Sequence, residues 1–199
     1  CYYDEAGRIY KTPDGDFYSV TSIIGGYYDR TSLEEWKVRV GEDEAKRIGD
    51  IAAANGTELH GVCEKYLLNE DYSAAHSIAR MRFAPVKRKL DANIQTVYGV
   101  EFPLFSKKLK TAGKTDAIVN WNGKKTVFDL KTSKNYKSDK YIENYFVQAT
   151  AYSIMLNDAY NMGIEKIVIM FSLGDFQCYY FEKEIKDYTE LVNRIFIKE

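Results

Sequence analysis

Asp116, Asp129 and Lys131 are the side chains whose types and spacing could do chemistry. Each aspartate lies in a run of β-forming residues, and Asn122-Gly123 separates the two runs. Asn-Gly at this position predicts a two-residue hairpin, because a type I′ turn needs positive φ at both central residues. The turn fixes the register and puts Asp116 opposite Asp129, with Cβ atoms about 4.5–5.5 Å apart. Lys131 follows on the same face as Asp129, because side chains alternate along a strand.

Two carboxylates opposed in this way repel one another, so a fold that keeps them needs a cation between them. A hard divalent ion bound by carboxylate oxygens is the natural candidate. The lysine could then orient a water or neutralise charge that develops on a phosphate. The alternative is a bulge that shifts the pairing by one residue, which would leave Asp116 and Asp129 as ordinary surface residues on opposite faces of an edge hairpin.

Helical and strand-like segments around this hairpin predict the framework that would hold it. Strands are expected at about 96–106, 113–121, 124–132, 165–172 and 177–182, with a short hairpin within 10–20. Helices are expected at 21–27, 32–40, 42–54, 57–68, 73–93, 139–157 and 184–198. Asn55-Gly56 is expected to break a long helical pattern, and Pro85 to kink or split its helix. This order predicts an α/β (α+β) fold with a mixed central sheet flanked by helices.

Length and composition limit the classes of protein to which this chain can belong. A chain of 199 residues, of which 45% are apolar, is expected to form one domain (1–199), with a mainly helical part at 1–95 and the sheet at 96–199. No apolar run reaches the roughly 18 residues that would predict a membrane span. Three scattered cysteines suit a reducing compartment and cannot supply a four-cysteine iron–sulfur or zinc site.

Charge is distributed unevenly, although the net charge is only −1. The segment 107–140 contains ten lysines against three aspartates, whereas 29–71 is acidic. A local basic stretch around an acidic pair would suit a polyanion that lies beside a bound metal ion. The alternative is a solvated, lysine-rich surface.

Five short motifs follow one another along residues 10–182. They are Ser19-Val20-Thr21-Ser22-Ile23-Ile24 with Trp36, Gly56-Thr57-Glu58-Leu59-His60 with Glu64, Asp116, Asp129-Leu130-Lys131-Thr132-Ser133, and Gln148-Ala149-Thr150-Ala151-Tyr152. In this order they resemble the PD-(D/E)XK nuclease superfamily, which has a restriction-endonuclease-like core. The histidine and Gln-x-x-x-Tyr motifs resemble its RecB-like branch, and the N-terminal motif resembles the mitochondrial genome maintenance exonucleases and their phage relatives.

The resemblance implies a metal site and a catalytic lysine. Mg²⁺ or Mn²⁺ would be held by His60, Asp116, Asp129 and the backbone carbonyl of Leu130, and Lys131 would position or activate the attacking water. Asp129 stands where the family more often has Glu, which shortens this ligand arm by one methylene. From the residues alone, His60 lies at the edge of an apolar helical stripe, where a histidine is commonly structural or merely exposed.

Further residues are expected to support the site or to contact DNA. They are Gln148, Tyr152, Glu64, Glu101, Lys114, Ser133, Lys134 and Trp36. Gln148 and Tyr152 lie one helical turn apart, and their alternative role is packing in a tyrosine-rich core. Glu101 is expected to be an outer-sphere metal ligand or a salt-bridge partner. Glu64 is expected to orient His60 or to make an ordinary surface contact.

The resemblance implies a metal-dependent DNA exonuclease that acts on single-stranded ends in replication, repair or recombination. The alternatives are a structure-specific DNA endonuclease with the same core and a non-catalytic single-stranded DNA-binding module. We expect a DNA partner, no membrane and no iron–sulfur cluster. The expected location is the cytoplasm of a bacterial or phage-infected cell, or the mitochondrial matrix if a targeting segment has been removed. Polarity, DNA over RNA preference and oligomeric state stay open.

Overall fold

The computed structural model describes residues 1–197, which form one mixed β-sheet flanked by helices. The strands are β1 (Tyr2–Asp4), β2 (Gly7–Thr12), β3 (Gly15–Ser19), β4 (Ile94–Ser106), β5 (Thr111–Trp121), β6 (Lys124–Ser133), β7 (Lys166–Leu173) and β8 (Cys178–Glu184). The helices are α1 (Val20–Tyr27), α2 (Thr31–Val40), α3 (Glu42–Leu67), α4 (Ser77–Asn93), α5 (Glu143–Tyr160) and α6 (Lys186–Phe196). The expected α/β (α+β) fold class is confirmed. Residue 198, the expected end of the last helix, lies outside the described residues.

The sheet is built around β5, which pairs with three other strands. β4 runs antiparallel along one edge of β5, whereas the other edge is shared between β3, which is parallel, and β6, which is antiparallel. β6 then pairs in parallel with β7, and α5 is the crossover between them. The strand order is therefore β1-β2-β3-β5-β6-β7-β8, with β4 added on β5.

Apolar side chains cover both faces of the sheet. Ile118 and Val127 point to one face, where they pack with residues of α1, α5 and α6. Val119 and Phe128 point to the other face and pack with residues of α3 and α4. This period-two alternation anchors the hairpin between two apolar layers, so a one-residue slip of its register would turn both sets of side chains around. Within residues 1–197, no helix is long and apolar enough to cross a membrane.

The turn between β5 and β6 has the backbone that the sequence predicts. Asn122 and Gly123 have φ angles of 50° and 84°. Positive φ at both central residues is the requirement of a type I′ turn, whose twist matches that of the flanking strands.

The long helix α3 corrects the expectation that Asn55-Gly56 would break the chain into two helices. α3 is continuous from Glu42 to Leu67. A glycine inside a helix costs only about 1 kcal/mol relative to alanine. The fully buried side chains of Leu59 and Val62 in the second half of α3 offset that cost through packing.

Smaller differences lie at the ends of elements. α4 begins at Ser77 rather than at 73, because the His76 side chain caps it by accepting a hydrogen bond from the Ile78 N–H, and it continues through Pro85. α5 begins at Glu143, after a 3₁₀ turn at Asp139–Tyr141. β1 has no counterpart among the expected strands.

Candidate active site

The hairpin strands separate at Asp116. Pairing between β5 and β6 runs from Trp121 opposite Lys124 to Ala117 opposite Phe128, in the predicted register, and stops there. The next pair would be Asp116 and Asp129. On the same edge, β5 is paired again only at its beginning, where β3 lies beside it. The carboxylates therefore lie where the sheet forks, and we name this region the fork, residues 113–116 of β5 and 129–133 of β6.

The Asp116 carboxylate replaces the interrupted backbone pairing. Its Oδ2 accepts a hydrogen bond of 2.7 Å from the Leu130 N–H, and its Oδ1 lies 3.4 Å from Nδ1 of His60. Burial opposes ionisation of Asp116, but the His60 contact, the Lys131 charge and the Leu130 N–H outweigh it and hold the pKa below its ordinary value. Asp116 is thus a carboxylate at neutral pH.

Asp129 is the most enclosed charged group of the site, with a side chain that is 3% exposed. Its Oδ2 lies 2.8 Å from the Lys131 ammonium, yet within residues 1–197 no donor makes a well-oriented hydrogen bond to this oxygen. Burial and, to a smaller extent, the Asp116 charge raise the pKa of Asp129, whereas Lys131 lowers it, and the net result is a pKa of about 6. A buried carboxylate oxygen without a proper donor has the capacity to bind a cation.

Lys131 connects the fork to α5. Besides Asp129, its ammonium donates a hydrogen bond of 3.2 Å to Oε1 of Gln148 and lies 4.9 Å from the centre of the Tyr145 ring. Burial lowers the pKa of Lys131, but the charges of Asp129 and Asp116 outweigh it and raise the pKa above its usual value. Lys131 is therefore a fixed cation that can donate hydrogen bonds but not accept a proton.

Tyr152 fills the fork from the side of α5. A Cβ on Gly113 would lie 2.7 Å from the Tyr152 hydroxyl oxygen, so this strand position has room for glycine only. Tyr152 is buried, and burial raises the pKa of its hydroxyl, which stays protonated. The Gln-x-x-x-Tyr residues Gln148 and Tyr152 thus lie beside Lys131 and β5, where they support the fork.

A group of potential metal ligands lies on the other side of Asp116. The group consists of His60, Glu101 and Asp116, each of which has one ligand atom within 4.8 Å of those of the other two. Within the described part of the chain, no other three histidine, cysteine or acidic side chains come this close together. Burial lowers the pKa of His60, but Asp116 and Asp129 outweigh it, and the net shift is upward.

Glu101 reaches this group through an unusual backbone. Its φ is 50°, in the left-handed region that costs a non-glycine residue energy, although it lies inside β4. Its neighbours Val100 and Phe102 pair with Ala117 and Thr115, so Glu101 lies across from Asp116. Its carboxylate also pairs with Lys114. The expected alternative of a salt-bridge partner is therefore present in the structure. A strand pattern does not reveal a left-handed residue, so the position of Glu101 next to His60 and Asp116 was not predicted from the sequence.

The space between these side chains suits one small ion. A cavity of about 10 Å³ is lined by residues that include His60, Glu64, Glu101 and Asp116. That volume is about the room that a single water needs. Oxygen and imidazole ligands around it fit Mg²⁺ or Mn²⁺ in type. Asp129 does not belong to the trio, and its Oδ2 lies 2.8 Å from the Lys131 ammonium on the strand beside Asp116.

The remaining predicted residues are spread more widely. Glu64 lines the small cavity one helical turn after His60, and Lys114 is the partner of Glu101. Ser133 donates a hydrogen bond of 2.7 Å to the Asn135 carbonyl, and Lys134 is exposed at the end of β6. Trp36 is half-buried on α2, which packs against α3, so it is not part of the fork.

A much larger cavity lies elsewhere and is not the site of the titratable cluster. It measures about 540 Å³, lies between α1, the β4–β5 turn and α6, and is lined mainly by apolar atoms. The cavity beside Asp116 is far smaller, and the fork lies within the sheet, between the central strands β5 and β6.

Comparison with known proteins gives only distant likenesses. No protein-family model and no curated protein matches the chain. The crystal structure of SSO0001 is similar at 15% identity over 87% of this chain and 75% of that one, with a TM-score of 0.39. A "putative exonuclease" from Eubacterium rectale is similar at 9% identity over 71% of this chain and 66% of that one, with a TM-score of 0.44. At such TM-scores these likenesses carry no argument about activity, which has to come from the site itself.

Proposed function

We propose that this protein is a metal-dependent DNA exonuclease that hydrolyses phosphodiester bonds at single-stranded ends. The observation that carries the proposal is the buried Asp129–Lys131 ion pair at the fork, next to the ligand group of His60, Glu101 and Asp116. Burying a carboxylate without full hydrogen bonding costs free energy, so a site that keeps one is a candidate for ligand binding. Apart from Glu101, these are the residues that the PD-(D/E)XK resemblance implies.

The ion would be held by His60, Asp116, Asp129 and the Leu130 carbonyl, with Glu101 as an additional ligand. Mg²⁺ or Mn²⁺ at this position would stabilise negative charge on the phosphate oxygens and lower the pKa of a bound water. This assignment keeps the ligand set of the resemblance and adds Glu101 because of its distance to His60 and Asp116.

Lys131 would position the attacking water or neutralise charge on the phosphate. The charges of Asp129 and Asp116 raise its pKa, so its ammonium is a hydrogen-bond donor in the structure described. Gln148 holds the ammonium from one side and Asp129 from the other, which fixes where the charge lies. Tyr152 and Gln148 would be positioning residues.

Cleavage of linear and circular single-stranded DNA tests the proposal. The linear strand is labelled at either end, and each reaction contains Mg²⁺, Mn²⁺ or EDTA. We expect metal-dependent loss of the linear strand only, and no cleavage by Lys131→Ala. Lys124→Ala is the matched control, because Lys124 lies at the opposite end of β6.

The outcomes separate the alternatives. Cleavage of the circle would assign the protein as an endonuclease. Binding of DNA without cleavage under any metal would assign it as a binding module. Equal cleavage by Lys131→Ala and the wild type would remove Lys131 from the site.

A further inference from the structure

A second cavity opens at the end of β6, beyond the fork. It measures about 350 Å³ and is lined by the segment after β6 and by the turn between β7 and β8, including Lys134, Asn135, Tyr136, Gln177 and Tyr179. β6 leads directly from Lys131 to Lys134, and three residues of extended chain span at most about 11 Å. The cavity is therefore a close neighbour of the site that would cleave a phosphodiester bond.

An aromatic series joins the two places. The Tyr145 ring, which lies against the Lys131 ammonium, is 5.9 Å from the Phe171 ring between centroids. Phe171 is stacked on Tyr179 at 5.0 Å with an interplanar angle of 8°, and Tyr179 is 4.7 Å from Tyr136. The series begins at the proposed catalytic lysine and ends at Tyr136, which is 63% exposed. Tyr136 thus offers a supported aromatic surface next to the site.

Hydrogen bonds hold this surface in place before any ligand binds. The Lys137 N–H donates to the Tyr179 hydroxyl at 2.9 Å, and the Ser133 hydroxyl donates to the Asn135 carbonyl. The Gly174 N–H donates to the Ser133 carbonyl at 3.0 Å, which joins the β7–β8 turn to the end of β6. A preorganised aromatic side chain loses little conformational entropy on binding.

The polar groups around Tyr136 include hydrogen-bonding capacity that the protein does not use. Within residues 1–197, the side-chain amides of Asn135 and Gln177 make no hydrogen bond and Lys134 makes no ion pair. Arg82 of α4 lies behind the turn: a Cβ on Gly174 would be 3.9 Å from its Nη2. Its buried Nε has no hydrogen-bond partner in the described chain.

This combination is the chemistry that recognises a nucleotide of a single strand. Stacking on an exposed tyrosine uses the face of a base, amides can bind its edge, and lysine or arginine binds phosphate. Lys134 is the cationic side chain that lines the cavity, so it is the group that would bind a phosphate there. A duplex would not fit, because its bases are already stacked.

We propose that this cavity is a nucleotide subsite, in which Tyr136 stacks on an unpaired base close to the scissile phosphate while Lys134 holds a phosphate. The subsite rests on the proposed function for its substrate class. It deepens that function because it explains selection of single-stranded over paired ends. It needs no metal ion to bind.

Binding of a short labelled single-stranded DNA in EDTA, followed by fluorescence anisotropy, tests the subsite without cleavage. Stacking is worth about 1–3 kcal/mol per base, so Tyr136→Ala is expected to weaken binding about 5- to 150-fold. Tyr136→Trp should retain wild-type affinity. Tyr141→Ala is the matched control, because Tyr141 is 80% exposed in the same connection but does not line the cavity. Circular dichroism checks that each variant is folded.

Removal of single bases locates the contact. Affinity is measured for a set of single-stranded DNAs, each of which has one abasic position. At one position, loss of the base should weaken binding by the wild type and by Tyr141→Ala but not by Tyr136→Ala. A blunt duplex should bind equally to the wild type and Tyr136→Ala.

Equal single-strand affinity of Tyr136→Ala and the wild type, or no binding of the wild type in EDTA, overturns the subsite. Cleavage by the wild type in Mg²⁺ is scored separately. If the wild type cleaves DNA but Tyr136→Ala binds the single strand as tightly as the wild type, only the subsite is rejected. If Tyr136→Ala weakens binding but the wild type does not cleave, only the exonuclease proposal is rejected.

Discussion

The charges at the fork and beside it balance only while His60 is protonated. Asp116, Asp129 and Glu101 are opposed by Lys131 and Lys114, so one negative charge is left over. The upward pKa shift of His60 shows that its cationic form makes up part of this difference. A divalent ion bound by the same groups would take over that role and would compete with protons for His60 and Asp129.

Metal binding should therefore stabilise the protein, and should do so less at low pH. With metal at about 100 times its Kd, the free energy of unfolding rises by about 2.7 kcal/mol, or about 5–10 °C in Tm for a chain of this size. The pKa of Asp129 is raised to about 6 and that of His60 is also raised. Below about pH 6 both groups bind protons, which the metal must displace, so the gain in Tm should shrink between about pH 8 and pH 5.

Thermal unfolding with Mg²⁺, Mn²⁺ or EDTA at these two pH values checks this prediction. Asp116→Asn is expected to lose the metal effect at both pH values. A gain in Tm that is as large at about pH 5 as at about pH 8 would argue against His60 and Asp129 as ligands. The depressed pKa of Asp116 leaves that group ionised throughout this range.

At the scale of elements, the fork depends on a strand position without a side chain. Gly113→Ala would put a Cβ 2.7 Å from the Tyr152 hydroxyl oxygen and 2.8 Å from its Cε1. Overpacking of this kind costs about 1–3 kcal/mol, and it would push Tyr152, and with it Gln148, away from β5. We expect a lower free energy of unfolding in urea and slower cleavage.

Gly49→Ala is the control for Gly113→Ala. Gly49 is exposed in α3 with no atom within 4 Å of an added Cβ, so alanine should stabilise the protein by about 0.5–1 kcal/mol. A gain in stability for both variants would contradict the close contact between Gly113 and the Tyr152 ring, because there would then be room for a Cβ at position 113.

The left-handed backbone of Glu101 predicts an order of stability between two variants. Glu101→Gly and Glu101→Ala both remove the carboxylate and its pairing with Lys114, so both should lose part of the metal-induced gain in Tm. Only glycine relieves the strain at φ 50°, so Glu101→Gly should be more stable than Glu101→Ala by about 1 kcal/mol. Urea unfolding measures the difference. The reverse order would mean that this residue is extended in solution.

The same elements show how far sequence alone could go. Asn122-Gly123 predicted the hairpin and its register, because turn chemistry is local. The fork was not predictable in the same way, since it depends on β3 and on Tyr152 of α5, which are distant in sequence. The continuity of α3 was missed because packing outweighed the local cost of Gly56. The cavity around Tyr136 had no sequence signal, because it forms only where the turn between β7 and β8 meets the segment after β6.

At the scale of the whole molecule, the basic segment 107–140 is divided between the two ends of the sheet. Lys124 and Lys125 follow the hairpin turn at the start of β6, whereas Lys134, Lys137 and Lys140 follow the end of β6 that carries the fork. About ten residues of strand, roughly 33 Å, separate the two groups. That distance is several times the Debye length of about 8 Å at physiological salt, so the groups act independently on a bound polyanion.

Lysines at the fork end should therefore set the salt dependence of DNA binding, and those at the turn should not. Lys137 and Lys140 are exposed and make no ion pair in the described chain. Lys124 lies 3.7 Å from Glu184, and Lys125 donates to the Met162 carbonyl. For a single strand, each lost phosphate contact reduces the slope of log K against log salt by about 0.7. The double variant Lys137→Ala/Lys140→Ala is expected to reduce this slope by up to about 1.4. Lys124→Ala/Lys125→Ala is expected to leave it unchanged. Both are checked by measuring DNA affinity in EDTA over a series of salt concentrations. A reduced slope for Lys124→Ala/Lys125→Ala would mean that the DNA runs along β6 instead of across its end. The proposed path of the DNA would then lie away from the fork.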